Sequence, residues 1–138
     1  MLSTKVVLAV CAPNEEVPGA RTKESIRRDV TTAQLKDFQY IEQGKRYQSF
    51  LANYALHAVV PFTPPGPTSG LALVGALSFL DRIKKAGVLE QFRNNKSKMH
   101  VVFLCPDDYR LYSDLYRSEL HGRNDFSSDS IEASRFMN

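Results

Sequence analysis

The sequence predicts an α+β fold in one domain. Short segments rich in β-branched residues alternate with segments in which apolar residues recur every three or four positions. The chain has 138 residues, the size of one ordinary domain, and is 43% hydrophobic and 24% charged, which is typical of a soluble globular protein. We assign residues 1–125 to this domain and 126–138 to a polar tail that we expect to be frayed or disordered.

Three segments have the composition of strands. Lys5 to Cys11 is short, apolar and β-branched, which predicts a first strand rather than a signal peptide or a membrane span. Phe50 to Val60 alternates with weak polarity on either face, so we expect a long central strand. Met99 to Leu104 is apolar on both faces and stops at Pro106, which predicts a third strand.

Three helices are expected between and after these strands. A capping-box pattern at residues 31–34 predicts the start of the first, and Gly44 its end. The second runs from about Thr68 to Lys85. The third follows Pro106 and is capped by Asp107 or Asp108, whose carboxylates accept hydrogen bonds from free helical N–H groups.

The second helix has two apolar faces when its residues are placed 100° apart. The first face has the composition of an ordinary core and consists of Leu73, Val74, Leu77 and Leu80. The nearly opposite face consists of Ala72, Ala76, Phe79 and Ile83. Such a helix is either buried on both faces or offers one of them to a partner.

Ser69 is the one candidate nucleophile that the sequence suggests. It lies in the segment Gly66–Gly70 at the start of the second helix. A Ser-Lys dyad would need a lysine beside it, and Lys84 and Lys85 are four helical turns away. We therefore interpret Thr68 or Ser69 as the helix cap and keep a serine hydrolase as an alternative.

No cofactor or metal site is expected. Cys11 and Cys105 each end a predicted buried strand, so we interpret them as inert buried thiols in a reducing compartment, with a disulfide as the alternative. The histidines, His57, His100 and His121, have no cysteine or carboxylate at ligand spacing.

The charges are unevenly distributed along the chain. Residues 82–98 hold six basic side chains and one acidic one, whereas residues 107–138 hold four arginines and seven acids. The basic stretch is either a solvated surface or a dock for an acidic or phosphorylated partner. It lacks the interleaved aromatic residues that stack on bases, so we do not expect direct binding of nucleic acid.

Several motifs occur in a recognisable order. An arginine pair at residues 27–28 precedes Gln34-Leu35, a strand ends near Pro61, a long helix closes on residues 85–88, and Phe103–Tyr109 joins a strand to a helix. This order resembles the SPOC domain of Spen-family transcription and RNA-processing proteins over about residues 21–122. The resemblance implies a distorted β-barrel of mixed strands flanked by helices, with no catalytic activity, in a nuclear protein.

The resemblance also implies a site. SPOC domains bind phosphoserine peptides through a basic patch, and the first arginine position falls on Arg27, with Arg28 as a substitute for the second. The positions of the family's tyrosine and helix cation fall on Phe79 and Ile83, so we expect the usual phosphoserine binding to be lost. The predicted partner-binding residues are Arg27, Arg28, Phe79, Ile83, Lys84 and Lys85.

The leading hypothesis is therefore a non-catalytic protein-interaction domain of a nuclear transcription-regulation, silencing or RNA-processing protein. Its partner would be a protein or peptide, and the domain could belong to a larger multi-domain chain or complex. One alternative retains phosphoserine binding through Arg27, Arg28, Lys84 and Lys85. The others are a serine hydrolase using Ser69 and a structural half of a larger barrel or dimer.

Overall fold

The computed structural model describes residues 5–20, 40–60 and 64–121. In these residues the fold is α+β, with two strands, three α-helices and two 3₁₀ turns at Leu89–Phe92 and Tyr109–Tyr112. None of the helices in these ranges is long and apolar enough to cross a membrane. The strands and helices are β1 (Val7–Cys11), β2 (Tyr40–Gly44), α1 (Arg46–Val59), α2 (Pro67–Lys85) and α3 (Ser113–His121).

The predicted barrel is wrong. β1 and β2 pair in parallel, in a register that runs from Val7 opposite Tyr40 to Cys11 opposite Gly44. No third strand joins this sheet within the described residues, so the sheet is open. A barrel closes only when every strand has two neighbouring strands. Two of the three segments predicted as strands do not form strands in the part of the chain that the structure describes.

The first of these segments, Phe50–Val60, lies mostly in helix α1. The buried residues of α1 are Ser49, Phe50, Leu51, Ala52, Asn53 and Leu56, which do not alternate as the two faces of a strand would. The weak alternation in the sequence arose because alanines fall on both faces, and alanine favours a helix.

Strand β2 occupies residues that were expected to end the first helix. Gly44 is not a helix stop: a β-carbon there would lie 2.5 Å from the Leu71 Cδ1, so glycine permits the close approach of α2 to the sheet. The rest of that predicted helix, from residue 31 to 39, lies outside the described residues.

The segment Met99–Leu104 forms no strand with any described residue. Without a neighbouring strand it leaves Val102 85% exposed and Leu104 76% exposed. Cys105 is also exposed, which corrects the prediction of a buried thiol at that position. Cys11 is buried, and desolvation raises the pKa of its thiol.

Helix α2 is the middle layer of the fold and confirms the predicted helix. Leu73, on its first face, packs with Ala52 and Leu56 of α1. On the side of the sheet, Leu71 packs with Cys11. The predicted opposite face is divided: Phe79 and Ile83 are buried, whereas Ala72 and Ala76 are only partly buried.

The crossing of α1 and α2 is closest at Gly70. A methyl group at Gly70 would lie 1.9 Å from the carbonyl oxygen of Ser49, which is far inside van der Waals contact. The two helix backbones therefore touch at this point, and only glycine fits.

We expect Gly70→Ala to lower the free energy of unfolding by about 1–3 kcal/mol because the helices must separate. In an uncrowded helix the same change would raise it by roughly 0.5–1 kcal/mol. Gly87→Ala is the control: it has open space but φ of +74°, so only a strain of about 1 kcal/mol is expected. Urea denaturation measures both, and a stabilised Gly70→Ala variant would contradict the close crossing.

Candidate functional site

The start of α2 is organised by a carboxylate from a distant part of the chain. Gly66 is the N-cap residue and has no side chain with which to bond the free N–H groups. Asp107 supplies the bonds instead: its oxygens accept from the N–H of Thr68 at 2.8 Å and from the N–H groups of Gly66 and Ser69 at 3.1 Å. The prediction that Thr68 or Ser69 caps α2 is therefore wrong.

The assignment of Asp107 and Asp108 also needs one correction. Asp108 caps the 3₁₀ turn that precedes α3 and accepts the Arg110 N–H at 2.8 Å. Asp108 was one of the two residues predicted to cap the third helix. The Arg110 guanidinium bonds the same carboxylate and lowers the pKa of Asp108 to about 2. Asp107, the other alternative, caps a helix that begins 40 residues earlier in the sequence.

Ser69 lies in a structural position. Its side chain is fully buried and its hydroxyl donates to Asp107 at 2.5 Å. Lys84 lies 15 residues further along α2, about 22 Å at 1.5 Å per residue. A buried hydroxyl that is committed to a carboxylate is poorly placed to attack a substrate, so the geometry favours a role in holding α2.

A second pair of polar residues holds the turn before α2. Asn53 donates to the carbonyl oxygens of Pro65 at 2.7 Å and Gly66 at 2.5 Å. The Nε2 of His57 lies 3.1 Å from both Asn53 Oδ1 and the Pro65 carbonyl, so we assign its proton to Nε2. Burial lowers the pKa of His57 and so favours the neutral ring, while the bond to the Pro65 carbonyl acts in the opposite direction.

Phe79 and Ile83 are covered by the chain itself. They are 6% and 4% exposed. The Phe79 ring meets Tyr40 of β2 at 4.9 Å and Phe92 at 5.5 Å, both edge to face. The guanidinium of Arg82 lies 5.4 Å from the Phe79 ring. These two predicted site residues are therefore part of the core between α2 and the sheet.

The other predicted site residues are divided between the surface and the part outside the described ranges. Lys84 and Lys85 are exposed at the end of α2, and Lys85 pairs with Asp81 at 2.6 Å. Arg27 and Arg28 lie outside the described residues. The structure therefore brings Phe79 and Ile83 together in the core and keeps the two lysines apart from them in water.

A groove lies along α2. It has a volume of about 750 Å³. One wall is the start of β1, and the other is the extended segment 98–106, which we call the rim segment. The floor is formed by α2, through the small residues Ala72, Gly75 and Ala76 and the larger Leu71, Phe79 and Leu80.

The groove walls are apolar and partly open to water. Val6, Val101, Val102 and Leu104 are between 47% and 85% exposed, and all of them line the groove. The charged lining residues are Lys5 and Lys98, and no carboxylate is among the described lining residues. An exposed apolar patch with a one-sign rim is typical of a binding surface.

Sequence reasoning missed this groove for a definite reason. Met99–Leu104 was assigned to a strand inside a sheet, which would have buried Val102 and Leu104. Asn53 and His57 were also missed, because the strand assignment for Phe50–Val60 hid their spacing of one helical turn. The sequence signal for the groove was the run of apolar residues at 101–104, which follows a basic turn.

Two comparisons with known protein sequences found no match. No family model matches the chain, and no curated protein matches it. The SPOC resemblance therefore rests on its sequence motifs alone. No group of three or more histidine, cysteine or carboxylate side chains that could hold a metal ion occurs in residues 5–20, 40–60 and 64–121.

We expect Asp107→Ala to lower the free energy of unfolding by about 2–3 kcal/mol, since three helical N–H groups and the Ser69 hydroxyl lose a charged acceptor. Asp81→Ala is the control: it removes a carboxylate from the exposed end of the same helix and should cost about 0.5 kcal/mol or less. Equal losses in the two variants, measured by urea denaturation, would show that Asp107 is not the cap.

Proposed function

We propose that the chain is a non-catalytic protein-interaction domain that binds an extended segment of a partner protein in the groove along α2. The exposed apolar lining of that groove is the observation that carries the proposal. Val102 and Leu104 present their side chains to water beside a floor that includes the small residues of α2, which leaves room for a polypeptide.

Ser69 and His57, which could in principle do chemistry, both have structural partners. Ser69 is buried and bonded to Asp107. His57 is bonded to Asn53 and to the Pro65 carbonyl, so it serves the turn before α2. Both side chains hold the structure rather than line the groove.

Two predictions rest on the SPOC resemblance and stay predictions. The first is that the domain belongs to a nuclear transcription-regulation, silencing or RNA-processing protein. The second is that it lacks the usual phosphoserine binding. Phe79 and Ile83 support the second of these expectations, because both are mostly buried and neither offers a hydroxyl or a positive charge to a phosphate.

A peptide-display experiment tests the proposal. Random peptides of about twelve residues are long enough to span β1 at about 3.3 Å per residue. We expect peptides to be enriched by the wild-type chain and to bind at least about tenfold more weakly to the double variant Val102→Ser, Leu104→Ser, because apolar contact area is lost.

The double variant Val59→Ser, Leu111→Ser is the matched control. It changes the same two residue types, and these are 60% and 77% exposed and lie outside the groove. Its affinities should stay within about twofold of wild type. Failure to enrich any peptide, or equal weakening by the two double variants, would refute the proposed function.

A further inference from the structure

The sheet edge that faces the groove has main-chain groups available for another strand. The Ala12 N–H donates to the Gly44 carbonyl at 2.8 Å, so the main chain of Ala12 points toward β2. The main-chain N–H and C=O groups of successive residues point to opposite edges of a strand, so those of Leu8 and Val10 also point toward β2. The main-chain groups of Val7 and Ala9 therefore point to the opposite edge.

That opposite edge is a wall of the groove. Val7 and Ala9 line the groove, whereas no residue of β2 does. Within the described residues β1 pairs with β2 only. As far as residues 5–20, 40–60 and 64–121 are concerned, this edge of β1 is thus an unpaired template of the kind that accepts an added strand.

The rim segment is anchored at its two ends and unpaired between them. At one end the Asn94 N–H donates to the Lys98 carbonyl at 2.7 Å. At the other end the Gly66 N–H donates to the Asp107 carbonyl at 3.1 Å. Residues 99–106 make no main-chain hydrogen bond to another described residue.

The two walls run in the same direction along α2. Cys11 packs with Leu71, and Ala9 lies against Gly75, so β1 runs toward the start of α2. The chain from Phe92, which meets Phe79, to Asp107 runs the same way. Lys5 and Lys98 therefore lie at the same end of the groove, beside the later half of α2.

That end of the groove carries unbalanced positive charge. The carboxylates of Glu42 and Asp81 do not line the groove and have basic partners of their own: Arg82 bonds Glu42 at 2.8 Å through its Nε, and Lys85 bonds Asp81 at 2.6 Å. Lys5 and Lys98 line the groove, and neither has an ion pair with a described residue. An acidic side chain of a bound peptide would meet both lysines.

We infer that the groove binds a β-strand of a partner protein, which pairs with the free edge of β1 and carries acidic residues at its end near Lys5 and Lys98. Apolar side chains of the added strand face Ala72 and Ala76, whose small size leaves room for them. This inference rests on the proposed function and names its binding mode and the chemistry of the partner.

Hydrogen exchange measured with and without peptide tests the binding mode. The probes are two synthetic peptides of about ten residues that alternate valine and threonine, with two aspartates at either the first or the last positions. We expect at least one to bind and to slow exchange of the Val7 and Ala9 amides at least about tenfold, as new hydrogen bonds form. The Leu8 and Val10 amides already bond β2 and should change little.

Charge variants test the acidic preference. Lysine in place of the aspartates should weaken the better peptide by at least about tenfold, and so should the double variant Lys5→Gln, Lys98→Gln. Lys96→Gln, which removes an exposed lysine of the same basic turn outside the groove lining, is the control and should have little effect.

The outcomes separate the inference from the proposed function. If display-selected peptides bind the groove but exchange at Val7 and Ala9 is unchanged, strand addition is wrong and the interaction domain stands. If selected peptides bind and show no charge dependence, or neither synthetic peptide binds, the acidic strand is wrong. Slow exchange at Val7 and Ala9 that depends on protein concentration without peptide would assign the groove to a second copy of the chain. Absence of binding by any peptide would refute both.

Discussion

The carboxylate of Asp107 at the start of α2 is the contact on which the rest of the structure depends. Helix α2 is the middle layer. Its N-cap residue is Gly66, which has no side chain to accept hydrogen bonds from the first N–H groups of the helix. Asp107 fills that role from 38 to 41 residues away. One carboxylate therefore both completes the helix and fixes where the rim segment returns to the core.

The groove follows from that anchor. The main chain at Asp107 and just after it is bound to the turn before α2: the Asp107 carbonyl accepts the Gly66 N–H, and the Tyr109 N–H donates to the Pro64 carbonyl at 3.0 Å. At its other end the rim segment leaves a turn in which Asn94 Oδ1 accepts the N–H groups of Lys96 and Lys98. Both ends are fixed by local bonds, so the segment between them lies along α2 without a strand partner among the described residues.

The sequence predicted the elements whose signals are local. The first strand, helix α2 and the helix after Pro106 were found because composition, periodicity and capping residues agree within each segment. Helix α1 was missed because its alanines gave alternation that tertiary packing overrides. β2 was missed because Gly44, a typical helix stop, is required here by contact with Leu71.

The candidate site was less predictable for a physical reason. A cap that joins residues 40 positions apart leaves no local pattern, so Asp107 was assigned to the wrong helix. The two predicted site residues of α2, Phe79 and Ile83, are buried, and the contacts of Phe79 with Tyr40 and Phe92 are not visible in the helix pattern. Val102 is likewise exposed because residues 99–104 pair with no described strand, and the local sequence does not show this.

Amide hydrogen exchange of the free protein is the most direct test of the open groove. The account predicts slow exchange at Thr68, whose N–H bonds Asp107, and fast exchange at Val7, Val102 and Leu104, which have no main-chain partner among the described residues. Slow exchange at Val102 and Leu104 would show that this segment is already paired in a sheet, and would contradict the open groove and the function proposed for it.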